Sequence, residues 1–166
     1  MKNYYFKEKF FKITDHYPIL DDDEREVYYV DQDFTFIGYD VKISDMKGRE
    51  ILKIEKELFS FLQKFNVNFS DGKFMRVESK ISFLVRRIKI DYDGESLSLE
   101  GQFPFFNFEI YKGEKVIGEI EETFISLSDS YKLSVYDEKY TEALLALTLC
   151  LNNIKDTAKS RSNSAG

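Results

Sequence analysis

The chain has 166 residues, the length of one ordinary domain, and 43% of them are apolar, too many for a disordered chain. A formal net charge of −6 excludes a general nucleic-acid binder, which needs a basic surface against phosphates. The single cysteine, Cys150, cannot form an internal disulfide, and the charged N-terminal stretch holds no apolar run of signal-peptide length, so the expected setting is a reducing cytosol.

Phe and Tyr are abundant, Trp is absent and Pro occurs only twice, a composition that favours strands. In chain order, FKITD and EVYYV flank the acidic loop DDDER. Val41 and Ile43 alternate with Asp40, Lys42 and Ser44; the turn DMKG follows, and then Leu52 and Ile54 alternate with Lys53 and Glu55, which predicts a hairpin. Residues 57–64 are ambiguous between strand and helical turn. Phe65, Val67 and Phe69 alternate with asparagines, and the turn SDG leads into KFMRVESK. Ile88, Ile90 and Tyr92 lead through Asp93-Gly94 to Leu97 and Leu99. Phe106, Phe108 and Ile110 lead through KGEK to VIGEIEE, and Tyr131, Leu133 and Val135 close the series. Some ten to twelve short strands separated by turn signals imply an antiparallel sandwich or barrel.

Residues 143–151, ALLALTLCL, have helix-forming composition and no polar face. The run is too short for a membrane span, which needs about 20 apolar residues, so it reads as a helix buried on all sides. A curved antiparallel sheet closing around this helix covers it, buries the apolar side of every strand and removes exposed sheet edges. The expectation is an all-β closed barrel with one central helix, a single domain over residues 1–155, and a disordered tail over 156–166, DTAKSRSNSAG.

Several segments carry a family resemblance: YYFKEKFFKITD, EVYYVDQDF, YDVKISDMKGREILKIEKELFSF with its D-x-x-G-x-E turn, LEGQFPFFNFEIYKGEKVIGEI, and SDSYKLSVYDEKYTEALLALTLCLNNIKD. In this order and spacing they resemble the LURP-one-related proteins, which share the tubby C-terminal-like fold with tubby proteins and phospholipid scramblases. The resemblance runs from about Tyr4 to Asp156. It implies a barrel of twelve strands around a hydrophobic C-terminal helix and no established enzymatic activity. Tubby domains bind phosphoinositides. The proline-rich head, palmitoylated cysteine cluster and calcium-linked segment of scramblases have no counterpart here.

The candidate chemistry is sparse. His16 lacks a second histidine or a nucleophile motif and reads as a loop residue. Cys150 lies in the apolar helix, where burial disfavours a thiolate. The carboxylates of DDDE lack the spacing of a calcium loop. Glu119, Glu121 and Glu122 with Asp129 read as an acidic outer face. No cofactor or metal site is expected.

The most informative set is basic. From Gly72 to Ile90 the chain holds Lys73, Arg76, Lys80, Arg86, Arg87 and Lys89 against one acid, Glu78, a net of +5 on a chain of −6. Such asymmetry suits anionic headgroups. Alternation lets Lys73, Arg87 and Lys89 share a face, whereas the neighbours Arg86 and Arg87 point oppositely unless a bulge intervenes; the plainer reading is an ordinary charged barrel exterior. The expected function is that of a non-enzymatic cytoplasmic module, peripheral at the membrane. It would bind anionic phospholipid or phosphoinositide headgroups through Lys73, Lys80, Arg86, Arg87 and Lys89, by electrostatic adsorption without insertion. The alternative is a protein-interaction or scaffold module that uses the acidic remainder.

Overall fold

The computed structural model describes residues 1–7, 16–33, 38–60, 62–81, 86–102, 105–125 and 128–164, with the backbone alone at 80–81, 86–87, 124–125, 128–129 and 161–162. Twelve strands form one closed barrel. They are β1 (Lys2–Lys7), β2 (His16–Leu20), β3 (Glu26–Asp33), β4 (Asp40–Asp45), β5 (Glu50–Lys56) and β6 (Gln63–Phe69). The second half is β7 (Phe74–Ile81), β8 (Arg86–Tyr92), β9 (Glu95–Gln102), β10 (Asn107–Lys112), β11 (Lys115–Ile125) and β12 (Ser128–Val135). Each strand pairs antiparallel with its neighbours in sequence, and β12 returns to β1 from Lys2↔Val135 to Lys7↔Ser130. The weakest seam is β1 with β2, where Tyr5↔Leu20 is the one register pair among the described residues.

A 3₁₀ turn over Glu138–Tyr140, capped by the Asp137 side chain, feeds the helix α1 (Thr141–Ser164). Ala143 to Leu151 are all buried, as an all-apolar helix requires. Strand residues meet them from every side: Val41, Ile54, Val67, Val77, Ile90, Ile120 and Leu133 each have zero exposure. Thr148 lies in the same dry interior, and its hydroxyl donates to the Leu144 carbonyl at 2.9 Å, so its polar group is satisfied one turn back. Gly118 of β11 permits the close approach of helix and wall: a Cβ there would lie 2.6 Å from Leu144 Cδ1 and 3.0 Å from the Ser134 carbonyl.

Three sequence expectations need adjustment. The strand before the acidic loop is His16–Leu20, which contains Pro18; FKITD at 11–15 lies outside the described residues. Pro18, which has no N–H to donate, stands opposite Tyr29 of β3. Residues 57–64 are neither helix nor continuous strand: Leu58 and Phe59 form a turn, Glu57 N donates to Lys64 O at 2.9 Å, and β6 begins at Gln63. The expected tail from 156 is helical to Ser164. There Thr157, Ser160 and Ser164 each donate a hydroxyl to the carbonyl four residues back, at 2.8–3.0 Å, so their polar groups stay with the helix instead of competing with it.

At Gly101, φ is +153°, and a Cβ would fall 2.0 Å from the Asn107 carbonyl oxygen and 2.8 Å from Phe108 Cα, both backbone atoms of the paired strand. Gly101→Ala should therefore destabilise the barrel by about 2 kcal/mol or more, combining backbone strain with overpacking, as read by chemical denaturation. Gly48→Ala meets nothing within 4 Å and should cost less, its penalty being conformational only.

Candidate functional site

The candidate residues separate once the barrel is closed. His16 opens β2; its ring stacks on Tyr29 at 4.6 Å and its Nδ1 lies 2.5 Å from Asp31 Oδ1, an exposed cross-strand pair. Cys150 is wholly buried in α1, and burial drives its thiol pKa far upward. Glu119 accepts from Tyr136 Oη at 2.9 Å and Glu121 from Lys132 at 3.0 Å. Glu122 takes the opposite parity and reaches the helix. The Asp129 side chain lies outside the described residues.

The acidic loop is a self-satisfied turn. Asp21 Oδ1 accepts from the backbone N–H groups of Asp23 and Arg25, and its other oxygen accepts from Arg25 Nε at 3.0 Å. Asp22 is bound by Asn3 and Tyr5. The same D-x-x-x-R device recurs at Asp45 and Arg49, whose guanidinium holds the Asp45 carboxyl below the usual carboxylate range. A cleft of about 580 Å³ opens between these two turns and the N-terminus. Tyr28 on its wall is pushed up to about 12 by burial. Two of its cations are engaged, Lys2 with Glu138 and Arg25 with Asp21 and Asp23, and Lys47 stands at its rim. Among the described residues no group of three or more His, Cys, Asp or Glu side chains is placed to hold a metal ion.

The basic set does not form one uniform patch. Lys73 lies in the β6–β7 turn, tied to Asp71. Along β7 and β8 the rungs are Arg76↔Asp91, Glu78↔Lys89 and Lys80↔Arg87, followed by Ile81↔Arg86. The first two rungs are charge-balanced, and Arg76, Glu78, Lys89 and Asp91 with Phe74 line a groove of about 310 Å³. The third pairs two cations, which a sheet does not favour by itself. Arg86 stands on the next rung, opposite Ile81 and apart from Arg87, as strand alternation requires. The side chains of Lys80, Arg86 and Arg87 lie outside the described set. Positive charge thus gathers at one end of the strand pair, beside the β7–β8 connection.

Comparison with known proteins places this barrel. The LURP-one-related family model matches residues 2–152. The chain belongs to the LURP-one-related family. It is 26% identical over 156 residues to an uncharacterised protein, YxjI, of Bacillus subtilis (strain 168), with 92% of this chain and 95% of that relative covered. No solved structure matches the chain. Among its described residues, no helix of this LURP-one-related protein is long and apolar enough to cross a membrane.

Two lysines that sequence reasoning did not single out anchor the helix. Lys56, at the end of β5, donates to Gln63 Oε1 at 3.0 Å, Asn153 Oδ1 at 2.7 Å and Thr157 Oγ1 at 3.4 Å. Lys155, almost wholly buried on α1, binds both carboxylate oxygens of Glu122 at 3.1–3.2 Å and sits 4.9 Å from the Phe106 ring centroid. A lysine after an apolar run reads as a solvated helix end, so no local signal marks either clamp.

Lys155→Met should cost about 2 kcal/mol by urea denaturation, because it leaves the half-buried Glu122 carboxylate without its partner; adding Glu122→Gln should recover part of the loss. Cys150 should resist thiol reagents in the native protein at mildly alkaline pH and label fully once the chain is unfolded.

Proposed function

We propose that this LURP-one-related barrel is a non-enzymatic module that binds anionic phospholipid headgroups at a membrane surface. The observation that carries this reading is the Lys80↔Arg87 rung with Arg86 beside it. Like charges directly opposite across a sheet are unfavourable by themselves, and an anion bound between these two positions would relieve the repulsion. The rest of the chain carries a net charge of −11 and offers no reason for a basic cluster, and a phosphate-bearing surface does. The phosphoinositide binding of the tubby domains that the sequence resembles adds an analogy of fold. The balanced rungs Arg76↔Asp91 and Glu78↔Lys89 contribute less, so the binding surface centres on the strand ends, with Lys89 at its margin.

Co-sedimentation with vesicles tests this. The native chain should pellet with anionic vesicles at low salt, not with neutral ones, and rising salt should weaken the association. With about 1 kcal/mol per cation, changing Lys80, Arg86, Arg87 and Lys89 to Gln should lower affinity by up to on the order of a thousandfold. If the native chain never pellets, or the variant pellets equally, the lipid reading fails. Binding of a protein partner that ignores the same substitutions would move the function to the acidic surface.

A further inference from the structure

The strand connections divide between two ends of the barrel. The turns at 21–25, 45–49, 70–73, 93–94 and 113–114, together with the approach to α1, lie at one end. They carry Asp21, Asp22, Asp23, Asp45, Asp71, Asp93 and Asp137; of the cations there, Arg25, Arg49, Lys73 and Lys115 are tied to carboxylates, and Lys47 adds a further positive charge. The exposed Met46, Phe74 and Tyr136 also lie at this end, so its excess of carboxylates, and not a lack of apolar surface, sets it against an anionic bilayer. The opposite end receives the β5–β6, β7–β8 and β9–β10 connections, because antiparallel neighbours alternate in direction. Lys80, Arg86 and Arg87 stand at the strand termini of that end.

The same end displays aromatic side chains that nothing in the barrel covers. Phe59 is fully exposed at the tip of the β5–β6 turn, with Leu58 beside it at 44%. Phe105, in the β9–β10 connection, is 69% exposed. Both loops hold a bulky residue in the left-handed region, Phe59 at φ 62° and Phe106 at φ 45°, a conformation that side chains of this size rarely adopt. At Phe106 the consequence is visible. Its ring is buried, 4.4 Å from Tyr131 and 5.4 Å from Phe108, while its neighbour Phe105 is left in solvent. Two strained loops thus each leave a Phe in solvent at the end that carries the basic strand termini.

We infer that this end of the barrel is the membrane-inserting face: Phe59 and Phe105, with Leu58, enter the acyl boundary of an anionic bilayer while Lys80, Arg86 and Arg87 meet the headgroups. The inference rests on the lipid-binding reading and adds orientation and insertion to adsorption by charge. The occupant is a bilayer because exposed apolar tips at the end that carries basic strand termini match an apolar layer beneath anionic headgroups. Helix α1 emerges at this end too, buried through Lys155 and exposed from Lys159, so the barrel approaches the bilayer with its helix C-terminus foremost.

The chain contains no Trp, so one introduced Trp is a unique reporter. Phe59→Trp, Phe105→Trp and, at the opposite end, the exposed Met46→Trp are mixed in turn with phosphatidylserine-containing or pure phosphatidylcholine vesicles. With the anionic vesicles, emission at positions 59 and 105 should shift to the blue and be quenched by brominated acyl chains, while position 46 should not respond. Phe59→Asp and Phe105→Asp should each weaken vesicle binding on the order of tenfold or more, with native thermal melts. If the native chain pellets with anionic vesicles while both rim reporters stay unchanged, insertion is overturned and adsorption stands. If neither pelleting nor a shift occurs, both readings fail. A blue shift without vesicles that grows with protein concentration would assign the rim to a second copy of the chain and overturn the inference.

Discussion

A helix whose residues from Ala143 to Leu151 are all buried needs apolar contacts around its whole circumference, and the rest of the molecule answers that need. No single sheet face can supply it. Twelve one-sided strands closed into a ring can, and closure also leaves no unpaired edge. The wall comes close enough to require Gly118 against Leu144, and the Thr148 hydroxyl on the buried helix is satisfied by the helix itself. A barrel filled in this way has no room for a large internal ligand, so function is sought on its outside and at its ends.

The two ends are chemically different because an up-and-down barrel sorts its connections by parity. Connections that follow even-numbered strands are tight turns, most of them built around an Asp side chain, as at Asp21 and Asp45. Connections that follow odd-numbered strands gather at the other end, where Lys56 and Lys155 hold the emerging helix and Phe59 and Phe105 stand in solvent. The apolar tips and the basic strand termini are far apart in sequence and share an end only through this sorting. The proposed surface association thereby has a direction along the barrel axis.

Most strands from β4 onward were legible because their outward residues are polar and inward ones apolar, as in Val41 and Ile43 or Phe65 and Val67. The first two were harder to read. In β1, Tyr5 lies between the buried Tyr4 and Phe6, so an aromatic occupies the outward position and the alternation disappears. In β2, a register shift between Ile19 and Leu20 brings two buried residues side by side. The end of α1 was read as a tail because Ser, Thr and Asn favour non-helical backbone in isolation, yet Lys56 ties Asn153 and Thr157 to the barrel. Phe59 and Phe106 gave no warning of their positive φ, since Gly is the usual sign of that conformation.

Local alternation and one polar-free helix determined the architecture from sequence alone, because both record which side of each element must leave water. The excess of positive charge between Gly72 and Ile90 was equally plain. The tertiary structure alone decided that Arg76 and Lys89 stand opposite acids while Lys80 meets Arg87, that Glu122 reaches a buried lysine, and that Phe59 and Phe105 share an end with the basic strand termini. These facts depend on register and ring closure. Both are set by contacts between residues distant in the chain, and no local pattern encodes them.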